Sequence, residues 1–144
     1  MNKIKDLIVD DSVTIRAIFA EILKKDRGFE LVGAAANAEE AWDFIERTLP
    51  HVIALDLNMP GMDGIGFLDA MTELPHHPAV VVVSSLAHHD SPICTATFEH
   101  GAIACFDKAG MIGNGPKLLA LLKAAENGKI SRSASRNENV TLPE

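Results

Sequence analysis

Four consecutive valines, Val80–Val83, stand between Ala79 and Ser84. A run this short, this apolar and this rich in β-branched residues has no wet face. It reads as a strand over Ala79–Ser84 buried on both sides, which only a sheet covered on both faces can accommodate. Similar short apolar runs recur at Ile4–Val9, 30–35, 52–57 and 102–106. Between them the apolar spacing changes from continuous to helical. Ile15, Ile18, Phe19, Ile22 and Leu23 share a face of a helix over 13–25, capped by Ser12 or Asp11 and closed by Gly28. Asn37 and Glu40 have capping-box spacing at the head of a helix over Ala38–Thr48 with Ala41, Trp42 and Ile45 on its stripe. Shorter helices are expected over 65–71 and from Ser91-Pro92 to about His100. Pro116 opens a final helix through Leu118, Leu119, Leu121 and Leu122 that Gly128 stops.

Strand and helix therefore alternate five times, which predicts an α/β fold with a parallel sheet and helices on both faces. Right-handed crossovers leave few strand orders, and the doubly wound, flavodoxin-like order 2-1-3-4-5 is the natural one for a five-stranded parallel sheet. The 144 residues suit one domain, expected over residues 1–128. Residues 129–144 hold few apolar side chains and read as a flexible tail or linker. No apolar run reaches the ~18 residues of a membrane-spanning helix, and the N-terminus lacks a secretory pattern, so the expected location is cytoplasmic. The net charge of −7 argues against non-specific nucleic-acid binding. Lys129, Arg132 and Arg136 are too sparse for a phosphate-tracking patch. Cys94 and Cys105 fit neither a zinc spacing nor a disulfide framework and are expected as small buried residues.

The chemistry gathers where apolar runs end. Asp10-Asp11 follows Leu7–Val9, and Asp56 ends the run begun at Val52, just before the turn Asn58-Met59-Pro60-Gly61-Met62-Asp63-Gly64. In the order 2-1-3-4-5 the first and third strands are neighbours, so these carboxylates meet at one sheet edge, where open α/β sheets place their sites. Taken singly, Asp11 could be a helix cap and Asp56 a turn residue. Together they repel, and burial deepens the cost, so the set calls for a cation. Mg2+ fits: it takes hard oxygen ligands, keeps waters and is commonly shared with phosphate. Lys108, after the fifth strand, would offset the charge and could bind a phosphoryl group, and the Ser84 hydroxyl at the end of the valine strand could donate to one. His88-His89 and His76-His77 read as solvated loop residues, because adjacent histidines diverge and a tetrahedral site needs four converging ligands.

The ordered set Asp10-Asp11-Ser12, Arg16, Asp56 to Gly64, Ser84-Ser85, Gly101-Ala102 and Lys108 resembles the receiver domain of bacterial two-component response regulators over about residues 4–127. The resemblance implies that Asp56 accepts a phosphoryl group from a sensor histidine kinase or phosphotransfer protein. It implies Mg2+ on Asp10, Asp11, Asp56 and the Asn58 backbone carbonyl, with Asp10 acting mainly through water, and phosphoryl oxygens held by Ser84 and Lys108. It implies altered partner binding as the output, chemotaxis among the settings, no nucleic acid or membrane contact by this domain, and no separate catalytic domain beyond self-promoted phosphorylation and dephosphorylation. Val83-Ser84-Ser85-Leu86 also looks like the receiver half of chemotaxis methylesterases. Alternatives are the regulatory domain of a longer methylesterase or transcription factor, and a phosphorylation-independent adaptor. Two positions depart from the family pattern. Cys105 stands where an aromatic switch residue is usual, with Phe106 expected on the opposite sheet face. Ala109 stands where proline commonly follows the lysine. A flavin-binding module would want a Ser/Thr/Gly-rich loop where Asp10-Asp11 stands, and a haloacid-dehalogenase-type phosphatase would want an acid where Asn58 stands.

Overall fold

In the computed structural model, which describes residues 2–85, 92–128 and 140–143, strands and helices alternate as the sequence predicts. In chain order they are β1 (Ile4–Val9), α1 (Val13–Lys24), β2 (Phe29–Ala35), α2 (Ala38–Thr48), β3 (Val52–Leu55), α3 (Gly64–Thr72), β4 (Ala79–Ser84), α4 (Pro92–Glu99), β5 (Ala104–Asp107), α5 (Gly110–Gly113), α6 (Gly115–Asn127) and β6 (Val140–Thr141). The sheet runs β2-β1-β3-β4-β5-β6. Its first five strands pair in parallel in the expected order, a doubly wound, flavodoxin-like arrangement.

Each central strand feeds two cores, because successive side chains leave a strand on opposite faces. Leu7 and Val9 of β1 join Ile45, Phe67, Leu68 and Met71 on one side, while Ile8 joins Phe19, Ile22, Leu118 and Leu122 on the other. Burying each large aliphatic side chain contributes about 1.5–3 kcal/mol, so these two cores dominate the fold's stability. Cys105 and Phe106 divide between the same two cores, as the pleat requires. Trp42 is half-buried and meets Phe67 edge-on, with ring centroids 5.0 Å apart. Both cysteines are buried and not joined in a disulfide.

Local chemistry sets the helix starts. The Ser12 hydroxyl, rather than Asp11, accepts from Ile15 N at 3.2 Å and caps α1. Asn37 caps α2 by accepting from Glu40 N at 2.8 Å, while the Glu40 carboxylate reaches back to Ala36 N. Gly128 closes α6 at φ 66°, a left-handed turn that glycine adopts without strain.

Four details depart from the sequence reading. α1 ends on Lys25, and Gly28 lies in the turn beyond it, held by the Asp26 carboxylate at 2.8 Å. β3 stops at Leu55 because Asp56 begins the site turn. The loop after Lys108 contains the single turn α5. Finally, Val140 and Thr141, placed in the flexible tail by composition, pair antiparallel with Phe106 and Cys105. Val140 is buried and Leu142 packs behind it, so burial of these few apolar side chains overrides the polar composition around them. The remainder of the predicted tail, with Lys129, Arg132 and Arg136, lies outside the described residues, as do His88 and His89.

Candidate functional site

Backbone pairing carries the chemistry to one edge. Asp10 N donates to Ala35 O at 3.0 Å and Asp56 N to Val9 O at 2.9 Å, so the ends of β2, β1 and β3 are tied side by side. Lys108 N donates to Ser84 O at 3.0 Å and ties the end of β5 to β4. Carboxylate oxygens of Asp10, Asp11 and Asp56 consequently all lie within 4.8 Å of one another. Asp10 and Asp56 are buried and Asp11 is exposed, so the cluster has a closed floor and one wet wall.

Turn chemistry aims each carboxylate. Asp10 Oδ1 accepts from Ser12 N at 2.9 Å, and the Asp10 carbonyl accepts from the Arg16 guanidinium at 2.7 Å. Asp56 Oδ1 accepts from Asn58 N at 3.0 Å, leaving Oδ2 toward Lys108. Past Asn58, Gly61 takes φ 77° in the tight turn. Asp63 then caps α3 through Gly66 N at 3.1 Å, and a Cβ at Gly64 would fall 2.8 Å from the Leu57 side chain. The turn beyond Asn58 thus fixes the backbone beside Asp56.

The Lys108 ammonium lies 2.8 Å from Asp10 Oδ2 and 3.2 Å from Asp56 Oδ2. Burial alone would lower its pKa, but hydrogen bonding and charge from Asp10 and Asp56 outweigh burial and raise it. It therefore stays protonated and holds two carboxylates in a space they could not otherwise share. Asp10 Oδ2 is buried and meets the ammonium as an ion pair. A buried carboxylate pair held by one ammonium, beside a third carboxylate open to water, is a donor set that suits a hard divalent cation.

The structure therefore brings Asp10, Asp11, Asp56 and Lys108 into one pocket. Ser84 is fully buried at its rim, across from Asp107 on β5. Asn58 is exposed, and its N–H serves Asp56. Arg16 belongs to the set as a clamp on the Asp10 turn. Its position one turn into α1, six residues after Asp10, is the sequence signal for that role.

A fold with carboxylates and one lysine at the carboxyl edge of a 2-1-3-4-5 sheet defines a class, and comparison with known proteins agrees. The family model described as response regulator receiver domain matches residues 7–124. The chain belongs to that family, and it is a receiver domain of the two-component signalling type. Among curated relatives, a protein-glutamate methylesterase/protein-glutamine glutaminase of Agrobacterium fabrum is 42% identical over 102 residues, which is 71% of this chain and 29% of that protein. One of the same name from Thiobacillus denitrificans is 42% identical over 109 residues, 76% of this chain and 30% of that protein. The chain thus spans about a third of the length of the curated relatives it matches, on the scale of their receiver portion. Among solved structures, the response regulator domain of Thermotoga maritima CheB superposes with a TM-score of 0.80 at 27% identity, covering 88% of this chain and 98% of that one. CheY6 of R. sphaeroides, solved in complex with the P1 domain of CheA3, gives 0.75 at 29% identity, covering 88% and 99%. Among the described residues no helix is long and apolar enough to cross a membrane.

Proposed function

We propose that Asp56 is the phosphoacceptor of this receiver and takes its phosphoryl group from a phosphohistidine on a kinase or phosphotransfer domain. The observation that carries this reading is the single ammonium shared by two buried carboxylates, 2.8 Å from one and 3.2 Å from the other. An Asp56 oxygen attacks phosphorus in line, the P–N bond breaks, the imidazole departs with its electron pair, and a mixed carboxylic–phosphoric anhydride remains. Lys108 offsets the charge that gathers on the transferred oxygens, and the Ser84 hydroxyl donates to one of them. Asp10, Asp11, Asp56 and the Asn58 carbonyl are the residues to hold Mg2+, which when bound neutralises the acceptor and the phosphoryl group together. The partners are a sensor kinase or phosphotransfer protein upstream and a target protein downstream, in the cytoplasm.

The 42% identity to methylesterases supports a second reading at the level of the whole protein, in which this receiver governs an attached or separate methylesterase domain. The acceptor chemistry is the same in both.

Intact-protein mass spectrometry after incubation with Mg2+ and acetyl phosphate tests the acceptor. Wild type gains one phosphoryl mass and Asp56→Asn gains none. An equal gain in the variant, or none in wild type, defeats the proposal.

A further inference from the structure

β5 is the strand at which the parallel sheet ends, and an edge strand presents unpaired N–H and C=O groups to any extended chain that reaches it. Here that edge is occupied. Val140 pairs with Phe106 and Thr141 with Cys105, antiparallel, and Val140 retains only 4% of its exposure. Val140, Phe106 and Met111 belong to the same buried cluster, with Leu142 packed against it. The segment therefore combines main-chain pairing with an apolar anchor, the two elements by which an extended segment is recognised at a sheet edge. Residues 129–139 join the segment to α6 and span at most ~36 Å.

The occupied edge leads directly into the site. Lys108 follows β5, two residues beyond Phe106, and its ammonium is committed to Asp10 and Asp56. The turn behind it is a closed series of hydrogen bonds: Asp107 accepts from Ala109 N at 3.0 Å and Lys108 O accepts from Met111 N at 3.1 Å. Phe106 and Met111, which flank Lys108 in sequence, both lie in the buried cluster that holds Val140.

We propose that residues 140–142 are a cis-acting edge strand that closes β5, and that its docking is coupled through β5 to the ion pairs of Lys108. The surface is a strand-accepting edge, its occupant is this chain's own segment, and a competing extended partner gains the edge when the segment leaves. Only the trigger rests on the acceptor reading. A phosphoryl group on Asp56 adds about 1.5–2 negative charges, which redirects the Lys108 ammonium from Asp10. Coupling runs both ways, so a docked segment also favours the present Lys108 position.

Amide-resolved hydrogen exchange on the full chain tests this, with β1 and β3 amides as the fold control. In wild type the amides of residues 140–142 exchange at least tenfold more slowly than in Val140→Asp or in the milder Leu142→Ser, independently of protein concentration. Lys108→Gln accelerates exchange at 140–142 several-fold, and so does a mass-verified phosphoryl adduct of wild type. Equal exchange in wild type and both segment variants overturns the docking, and protection that rises with concentration overturns the cis assignment. Exchange at 140–142 unmoved by Lys108→Gln overturns the coupling. A chain that takes up no phosphoryl group refutes the acceptor reading instead, and the Lys108→Gln comparison still decides the coupling.

Discussion

Two buried aspartates four residues apart, one within β1 and one just past its end, have opposite surroundings. Asp10, at the strand's end, lies beside a lysine ammonium, a second carboxylate and an Asx turn. Asp6, inside the strand, is fully buried with neither oxygen hydrogen-bonded, and burial pushes its pKa from 3.8 to about 8. The same side chain thus sits beside an ammonium just past the strand and is forced toward the neutral acid within it. Burial alone does not make a site. Converging partners do, and only the sheet's carboxyl edge collects them.

The comparison breaks first at Asp6. Because its folded pKa lies above its unfolded value, ionising Asp6 adds no cost below about pH 4, where the buried acid is neutral in both states. The cost grows as pH rises to about 8 and is constant beyond. Asp6→Val is therefore expected to stabilise the fold by about 3–5 kcal/mol at pH 9, with the gain shrinking steadily toward pH 4. Urea unfolding of both chains at pH 5, 7 and 9 measures it. A pH-independent difference would show that Asp6 finds a partner.

At the other end of β1 the sign reverses. Lys108→Met leaves two buried carboxylates without their ammonium and is expected to destabilise by about 2–4 kcal/mol at pH 7 without divalent cation. Asp56→Asn relieves repulsion while leaving the Lys108–Asp10 pair, so its unfolding free energy should match or exceed that of wild type. Denaturant midpoints decide, and a Lys108→Met chain as stable as wild type would contradict the network.

Mg2+ sharpens the contrast further. At tenfold excess over its dissociation constant it should stabilise wild type by about 1.4 kcal/mol. Asp11→Ala should lose most of that gain, whereas Asp6→Val should keep it. Thermal unfolding with and without Mg2+ reads both.

Most of this arrangement is legible in the sequence, for physical reasons that also explain what is not. Buried parallel strands are written as short apolar runs, so five strands and their order follow from Val80–Val83 and its counterparts. The site is legible because Asp10, Asp11, Asp56 and Lys108 each end such a run, and parallel pairing puts run ends together. Asp6 is hidden by the same logic: one acid within an apolar run carries no sign of what surrounds it until its neighbours are known. β6 is hidden because two residues of strand have no period, and their pairing with Cys105 and Phe106 is a long-range event. α5 holds two glycines in a single turn and has no apolar stripe. Strand ends shift by a residue or two where side-chain turns, such as that of Asp56, take over from the ladder.

The smallest expected effect belongs to a third kind of acid. Asp63 stands in the turn after Asp56 but caps α3 instead of joining the pocket. Asp63→Ala should cost about 1 kcal/mol of stability and leave phosphoryl uptake unchanged. A loss of uptake in a chain that remains folded would enlarge the site to include it.

Asp56, not merely an aspartate of the cluster, is expected to form the anhydride. Borohydride cleaves a carboxylic–phosphoric anhydride and reduces the acyl carbon to an alcohol, turning the acceptor aspartate into homoserine. After treatment with acetyl phosphate, Mg2+ and then borohydride, peptide sequencing by mass spectrometry should find homoserine at position 56 alone. Homoserine at position 10, 11 or 63, or at none of them in a chain that had gained phosphoryl mass, would contradict the account.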